Sequence, residues 1–311
     1  MAIPSKQIGW SNESNLLWNI SKQIEILTGV MANRNTTTTT TTTTVLPIPF
    51  ILTLDTTGQG DNYNVTLPYH NGFPYTGTIN WGDGNTSANE FGANHTYITA
   101  GSYTVTVNGI VGSFNTYYDY VGSFLDTLTS IDQFGNQFSF GWAVGGYFAF
   151  CVLLTNVASD IPLNSITNMD SMFSNAEAFN GDISGWDVSG VTSMVGVFQS
   201  ANSFNQPLNS WNVSNVTDMN GMFANTAVFN QDISGWDVSN VTSISEIFNG
   251  AVSFSSTNLD AIYNTWSTLT LQPGTSFTDT LPCYSLSAQA GRDILTNAPN
   301  NWIITDGGIC P

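Results

Sequence analysis

NGDISGWDVSGVTSMVGVFQSANSF, residues 180–204, is the first of three consecutive copies of one 25-residue pattern, and the third copy ends at residue 254. The copies follow one another without insertion or deletion. A unit of this length cannot bury its own apolar face, so neighbouring units must stack to form a continuous core. The pattern predicts a repeat solenoid over residues 166–260. The recurring aromatic residues predicted to form its core are Trp186, Trp211, Trp236, Phe198, Phe223, Phe248, Phe204, Phe229 and Phe254.

Each copy contains two segments with different patterns. Residues 182–188 alternate polar and apolar side chains, which is typical of a short strand. The next segment starts at Ser189, an acceptable helix N-cap, and places apolar residues at helical spacing. These apolar residues are Val191, Met194, Val197, Phe198 and Ala201. We therefore expect a strand, a tight turn and a helix or helical turn in each unit, which makes the region an α/β solenoid.

A polar column runs through the three copies and comprises Asp187, Asn212 and Asp237. At a turn in a stacked coil, Asp and Asn side chains most often accept hydrogen bonds from backbone N–H groups. We expect this structural role, and a metal- or ligand-binding column is the alternative.

These residues also carry a family resemblance. The segment FNQDISGWDVSNVT (residues 229–242), preceded by MNGMFANTA, resembles the repeats of the BspA-like bacterial surface family, a divergent relative of leucine-rich repeats. The resemblance covers nearly every position of the three copies and, more weakly, residues 166–182. It implies a surface-exposed binding or structural module rather than an enzyme. The motif fixes no ligand contacts, so none is assigned.

The charge of the chain is unevenly distributed. The formal net charge is −18, yet residues 1–34 are close to neutral, and Arg292 is the one basic residue after them. Residues 35–311 are strongly acidic and are therefore repelled by phosphate backbones and anionic bilayers. We expect these residues to bind neither nucleic acid nor a lipid surface. The longest apolar run, residues 143–154, is too short to cross a membrane, so no membrane insertion is expected.

The N-terminal segment, residues 1–34, is predicted to form an anchoring or oligomerisation helix. Apolar residues recur in it at steps of three and four, as in a coiled-coil seam. The seam residues are Leu17, Ile20, Ile24, Leu27 and Met31. Such a short helix is marginally stable alone, so it needs a partner. That partner is either other copies, with a trimer favoured, or a groove on another protein; packing on its own body is the alternative.

A tract of nine threonines, residues 36–44, follows this helix. The tract has no apolar periodicity, so residues 35–49 are predicted to be an extended tether. The opening IPSKQIGWSNESNLLWNISKQ, residues 3–23, resembles the N-terminal segments of some tailed-phage virion proteins. This resemblance implies attachment to other virion proteins.

Residues 50–112 have short alternating segments separated by Gly, Asn and Asp turns, which predicts a small β-sandwich. The motifs WGDG (81–84), HTY (95–97) and GSYTVTV (101–107) occur in the order seen in polycystic-kidney-disease (PKD) domains, which this stretch resembles. The motif residues are Trp81, Asp83, His95, Tyr97 and Tyr103.

The PKD resemblance implies that Trp81 enters the core and that Tyr97 and Tyr103 pack between sheets. His95 has no partner nucleophile or metal cluster in the motif, so we expect a structural hydrogen bond rather than chemistry. No cofactor is predicted. Residues 55–64, DTTGQGDNYN, are oxygen-rich and leave calcium as a weak possibility, although the spacing is not that of an EF-hand.

The remaining segments are predicted to close the two ends of the solenoid. Residues 113–165 look like an N-terminal cap with degenerate repeats, and residues 261–311 like a C-terminal cap in which Arg292 bonds internally. Cys151 lies in an apolar run and is predicted to be buried, whereas Cys283 and Cys310 either form a disulfide or stay reduced.

The expected fold class is thus a multidomain, mainly β chain with an N-terminal helix, a PKD-like sandwich and a capped α/β solenoid. With two histidines and no lysine after Lys22, most catalytic arrangements are missing, so we expect no enzyme. We expect a phage head or tail fibre or decoration protein on the exposed virion surface that meets a host receptor or glycan. The alternatives are a bacterial cell-surface adhesin and a polysaccharide depolymerase.

Overall fold

The computed structural model describes residues 46–117, 122–141, 145–163, 166–279 and 281–311. Contacts divide the chain into two units, Met1–Leu46 and Pro47–Pro311. The seam predicted at Leu17, Ile20, Ile24, Leu27 and Met31 lies outside the described residues, as does the threonine tract. The N-terminal helix and its partners therefore stay predictions.

The second unit begins with a mostly antiparallel sheet. Its strands are β1 (Phe50–Asp55), β3 (Thr78–Asn80), β4 (Thr86–Ala88), β6 (Ser102–Asn108), β7 (Leu128–Gln133) and β8 (Asn156–Val157). Their spatial order is β4-β3-β6-β1-β7-β8. A separate antiparallel pair consists of β2 (Tyr63–Thr66) and β5 (Asn94–Tyr97). The large sheet thus combines strands from residues 50–112 with two strands that come later in the chain.

Strand β1 lies near the centre of this sheet, between β6 and β7. Its side chains alternate between buried and half-buried, as expected for a strand with one face on the core. Leu52 is fully buried and pairs with Val105 on one side and Ile131 on the other. Phe50 extends this core, since its ring centroid lies 4.8 Å from that of Phe138.

The last two strands of the sheet differ from the others in their relative direction. β7 and β8 are parallel, whereas the other pairs in this sheet are antiparallel. The N–H of Thr155 donates to the carbonyl of Thr129, and the N–H of Ala158 donates to that of Ile131. Because the repeat units that follow are also parallel to one another, this pair connects the sheet to the stacked repeats.

The repeat units are joined by hydrogen bonds from every second residue. The N–H groups of Ser171, Phe173 and Asn175 donate to carbonyls of the next unit, at Val195, Val197 and Gln199. The intervening N–H groups bond three residues back within their own unit, as Met172 does to Met169. The same pattern recurs one and two units later. Isolated parallel bridges link Asn168, Ser193, Asp218 and Ser243 along the stack.

This bonding pattern overturns the predicted helix in each unit. An α-helix uses every N–H for a bond four residues back and does not accept left-handed residues every few positions. Two columns of positive φ, four residues apart, cross the units. They are Ser171, Gly196, Gly221 and Glu246, with φ of 56°, 59°, 60° and 59°, and Asn175, Ser200, Asn225 and Gly250, with φ of 59°, 59°, 57° and 74°.

The predicted fold class, with its α/β solenoid, is therefore wrong. The described chain is mostly β with few helices, and residues 166–254 contain none. Residues 182–188 are not a strand either. The α-helices of the described ranges are α1 (Gly122–Leu125), α2 (Ser256–Trp266) and α3 (Gln289–Thr296). The apolar residues at helical spacing lie instead in tight turns, and the outward-directed N–H groups of these turns bond the next unit.

Two columns of phenylalanine form the core of the repeats. The first comprises Phe148, Phe173, Phe198, Phe223 and Phe248, with neighbouring ring centroids 5.6, 5.7, 5.5 and 5.8 Å apart and nearly parallel planes. The second includes Phe179, Phe204 and Phe229, at 5.8 and 6.3 Å. Within one unit the two columns touch, as Phe198 and Phe204 do at 3.9 Å. Offset aromatic contacts of this kind add about 0.5–1.5 kcal/mol each beyond area burial.

At the N-terminal end of the stack, side chains take the place of a preceding unit. The Asn115 amide donates to the carbonyl of Gly145, and the Thr116 hydroxyl donates to that of Ala149. Both side chains are buried. They satisfy carbonyl groups that a further unit would otherwise bond. Cys151, in the same region, is fully buried, as predicted, and forms no disulfide; burial raises the pKa of its thiol to about 12.

The C-terminal end is closed by a different element. β9 (Ser276–Thr278) pairs in parallel with β10 (Ile303–Thr305). The N–H of Glu246 donates to the carbonyl of Thr278, and that of Phe248 to the Asp279 carboxylate. α2 and α3 pack against each other, and the ring centroid of Trp266 in α2 lies 6.1 Å from that of Phe277 in β9. Arg292 bonds within the cap, with Nε 2.6 Å from Asp306 Oδ2.

A disulfide joins Cys283 and Cys310 across the cap. This settles the two alternatives that the spacing of the cysteines leaves open. None of the helices in the described residues has the length and apolar character needed to cross a membrane.

We predict that Phe198→Ala destabilises the second unit by about 3–5 kcal/mol, because it opens a cavity between the four aromatic rings that contact Phe198. Denaturant unfolding followed by circular dichroism measures this change. Val252→Ala is the control, since Val252 is 83% exposed and should change stability by no more than about 0.5 kcal/mol. Equal effects of the two substitutions would contradict the role assigned to the column.

Candidate binding surface

The motif residues of the first sheet form one packed cluster. The His95 ring stacks on Trp81 at 5.1 Å between centroids and meets the edge of Tyr97 at 4.7 Å. Its Nε2 lies 2.7 Å from Asp83 Oδ2. Tyr103 stacks on Tyr97 at 4.0 Å. The structure thus brings all five motif residues together.

Hydrogen bonds hold this cluster to the backbone of its own sheet. The Trp81 indole donates to Ser87 Oγ at 3.0 Å, and the Tyr97 hydroxyl donates to the carbonyl of Trp81 at 2.9 Å. Trp81 and Tyr97 are 1% and 0% exposed. Polar atoms used in this way are not available to a substrate, so this cluster, which we call the structural clamp, holds the sheet together.

The Asp83 carboxyl is the titrating member of the clamp. Burial raises its pKa, but the hydrogen bonds from His95 and Asn85 outweigh burial and bring the pKa below its ordinary value. Asp83 therefore stabilises the fold while it is ionised, and this contribution is lost as the pH falls through its folded-state pKa.

The oxygen-rich segment at residues 55–64 uses its carboxylates for backbone contacts. Asp55 Oδ1 accepts from the N–H of Thr57, and Asp61 Oδ1 accepts from that of Ala100. Over the described ranges, no group of three or more His, Cys, Asp or Glu side chains has a geometry suited to a metal ion.

The polar columns of the repeats are mostly committed to contacts between units. The hydroxyl of each of Thr192, Thr217 and Thr242 donates to the carbonyl of the threonine one unit earlier. Asn180 and Asn205 each accept, through Oδ1, the N–H of the residue 25 positions later. These side chains set the register of the stack.

The column of Asp187, Asn212 and Asp237 has the expected turn geometry. Each Oδ1 accepts the N–H of the serine two residues later, at 3.1, 3.2 and 3.1 Å. The hydroxyl and N–H of Ser189 lower the pKa of Asp187 below its ordinary value, so this carboxylate is ionised at neutral pH.

Among the depressions on the described surface of the stack, we consider a groove and a cleft. A groove of about 370 Å³ crosses four units and is lined by Ser171, Val195, Gly196, Gln199, Asn220, Gly221, Ser245 and Glu246. A cleft of about 360 Å³ lies at the first complete copy and is lined by Ser159, Ile161, Pro162, Leu163, Gly185, Trp186 and Asp187. We call the second depression the Trp186 cleft.

The three repeat tryptophans are all buried, but their indole groups differ. The Trp211 N–H donates to the carbonyl of Ile183 at 3.0 Å, and the Trp236 N–H donates to that of Leu208 at 2.9 Å. Trp186 is 5% exposed, and its indole nitrogen is buried without a hydrogen-bond partner among the described residues. The first copy therefore holds an unsatisfied donor that the later copies do not.

Two parts of this arrangement escaped the sequence analysis. Phe148 and Phe173 extend the aromatic column toward the N-terminus, and their spacing of 25 residues was the available signal. The difference between Trp186 and its two counterparts had no signal, because the three residues occupy the same position in nearly identical sequence.

The comparison with family models supports the repeat resemblance. Residues 147–262 match a model described as "Mycoplasma protein of unknown function, DUF285", a BspA-like repeat-type family. The match does not extend to the PKD-like region or the N-terminal segment, so those resemblances stay predictions. No curated protein and no solved structure matches the chain.

We predict that Trp211→Phe is more destabilising than Trp186→Phe by about 0.5–1.5 kcal/mol. Both substitutions remove similar ring volume, but only Trp211→Phe removes a hydrogen bond, because the Ile183 carbonyl loses the indole donor and keeps only the backbone N–H of Trp186. Guanidinium midpoints of the two variants and of Trp236→Phe measure the difference. Trp236→Phe should behave like Trp211→Phe, and equal midpoints for all three would contradict the assigned donors.

A second prediction concerns the pH dependence of stability. Asp83→Asn should cost about 1 kcal/mol at pH 7, because the carboxylate loses its bond to His95. The cost should start to fall as the pH drops below about 4, the ordinary aspartate pKa, and should vanish only below the lowered folded-state pKa of Asp83. Thermal midpoints at pH 7 and pH 3 test this. Glu90→Gln changes an exposed carboxylate of the same region and should leave the pH dependence unaltered; a pH-independent cost of Asp83→Asn would contradict the assignment.

Proposed function

We propose that this chain is a non-enzymatic phage virion protein, a fibre or decoration protein, that exposes its repeat stack to a host or environmental surface. The observation that carries the proposal is the register of the stack. Polar side chains recur every 25 residues, bond neighbouring units and form a regular array of surface columns. A rigid array with repeated polar positions suits binding to an extended surface better than turnover of a small substrate.

The state of the reactive side chains also supports binding over catalysis. In the part of the chain that the structure describes, the unpaired thiol of Cys151 is buried and has a raised pKa. His95 is enclosed between two aromatic rings and Asp83. Arg292 bonds Asp306 inside the C-terminal cap. These groups are thus committed to structural contacts, which makes them unsuited to general acid–base or nucleophilic chemistry.

The charge distribution supports different roles for residues 1–34 and for the rest of the chain. Residues 1–34 are nearly neutral and carry the predicted seam, whereas the rest is strongly acidic. The acidic body suits solubility at high local density on a particle. The near-neutral segment suits attachment, either to other virion proteins or to further copies as a trimer.

A bacterial cell-surface adhesin is the second candidate. The family that residues 147–262 match is described as a Mycoplasma protein, and this favours a cellular origin for the repeat unit. Immunogold labelling with antibody against residues 47–311 separates the two candidates. Label on purified particles supports the virion protein, and label on the envelope of uninfected cells supports the adhesin.

The attachment role predicts the effect of one substitution in the seam. Ile24→Asp should reduce incorporation into particles at least about tenfold, because it places a charge in the apolar contact. Gln23→Asp, which adds the same charge one position away from the seam, should leave incorporation unchanged. Quantitative immunoblots of purified particles measure both variants, and deletion of residues 1–34 should abolish incorporation.

Circular dichroism of the same variants checks that the second unit stays folded. Full incorporation of the deletion variant, or equal loss with both Asp substitutions, would refute attachment through the seam.

A further inference from the structure

The Trp186 cleft lies where the regular stack meets the segment that precedes it. One side consists of Ser159 and the apolar residues Ile161, Pro162 and Leu163, and the other consists of Gly185, Trp186 and Asp187. Its volume of about 360 Å³ is at the lower end of the range for small-molecule sites, roughly 300–1,000 Å³. The cleft can therefore hold a small unit of a larger ligand.

The cleft exists because the first copy lacks a regular predecessor. Trp211 and Trp236 donate to carbonyls 28 residues earlier, at Ile183 and Leu208. The residue 28 positions before Trp186 is Ala158, which follows strand β8 and bonds through its N–H to Ile131 of strand β7. The chain takes a different course there, and the Trp186 indole is left without the acceptor that its counterparts have.

The groups lining the cleft restrict the chemistry of a ligand. An indole N–H only donates, so the ligand must offer an acceptor. An ionised carboxylate only accepts, so at Asp187 the ligand must offer a donor. An ammonium group has no acceptor for the indole, and an anion would be repelled by Asp187 and by the acidic body. A hydroxyl group is both donor and acceptor, which leaves an uncharged polyhydroxylated ligand.

We propose that the Trp186 cleft binds a neutral sugar unit of a surface glycan. Ile161, Pro162 and Leu163 provide apolar surface for the C–H face of the sugar ring, while Trp186 and Asp187 bond its hydroxyl groups. The inference rests on the proposed display function, since it names the class of receptor that the exposed body meets.

The sugar proposal is tested by NMR on the full chain with ¹⁵N-labelled tryptophan. The indole signal that disappears in Trp186→Phe identifies Trp186, and the one lost in Trp236→Phe serves as an internal reference. The probes are methyl glycosides of glucose, galactose and N-acetylglucosamine, with glucosamine as the cationic comparator and glucuronate as the anionic one.

At least one neutral glycoside should shift the Trp186 signal to saturation and leave the Trp236 signal in place. Trp186→Phe should weaken its binding, measured by calorimetry, at least about tenfold. Two results would overturn the proposal: no saturable shift with any neutral glycoside up to roughly 50 mM, a concentration that would detect even very weak sites, or tighter binding of a charged comparator.

A second pair of variants provides a matched control. Asp187→Asn keeps the turn, because Asn212 fills the same position of the next copy with the same backbone bond. It replaces an acceptor of the cleft, so sugar binding should weaken about threefold or more. Asp237→Asn makes the same change two copies away and should have no effect. Equal effects of the two substitutions would place the sugar elsewhere and refute the assignment to the cleft.

The two proposals fail in different ways. Trp186→Phe should be incorporated into particles as well as the unchanged chain, because the cleft is remote in sequence from the seam. If neutral sugars do not bind but seam substitutions still abolish incorporation, only the sugar proposal fails. If sugars bind and the chain is absent from particles, the virion role fails and the binding site remains.

Discussion

The structure depends on an alternating pattern of backbone hydrogen bonds along each repeat, in which every second N–H group donates to the next unit and the others donate within their own turn. Ser171, Phe173 and Asn175 donate outward, and the residues between them donate three positions back. This alternation requires left-handed backbone twice per unit, four residues apart. It also requires that every unit have the same length, because one inserted residue would move the outward N–H groups away from the carbonyls of the next unit. The constant 25-residue period is thus a consequence of the bonding, and the aligned phenylalanines follow from that period.

A stack built in this way has unsatisfied groups at both ends, and the two ends are closed by different means. Asn115 and Thr116 donate to the first unit's carbonyls, where side chains replace a whole unit. The last unit's N–H groups reach Thr278 and Asp279. The first sheet ends in a parallel pair, β7 with β8, and the bridges between repeat units are also parallel.

The period and the repeat core were predictable, whereas the local backbone was not. Trp186, Phe198 and Phe204 recur at a spacing that only stacking explains, and all three are buried. The helix was wrongly predicted because apolar residues at steps of three and four also fit a row of tight turns. The distinguishing signal was present in part: Gly196 and Gly221 occupy one left-handed column, and Asn175 and Asn225 occupy the other. Gly and Asn are the residues that adopt this backbone most readily. Ser171, Ser200 and Glu246 share the columns without that preference, because contacts between units hold them there.

Near-identical copies make the differences between them informative. A structural group in a repeat is satisfied by its neighbour, so its bonding partner recurs with the period, as it does for the indoles of Trp211 and Trp236. When the bonding partner of such a group is missing in one copy only, an irregular segment stands in the place of the neighbouring repeat unit. Trp186 is such a group, since its indole nitrogen has no partner and it lines a cleft together with the irregular segment at residues 159–163. The sequence conceals this, because Trp186 matches its counterparts letter for letter. In a stack of this kind, we therefore expect sites for ligands at the junctions between regular and irregular units.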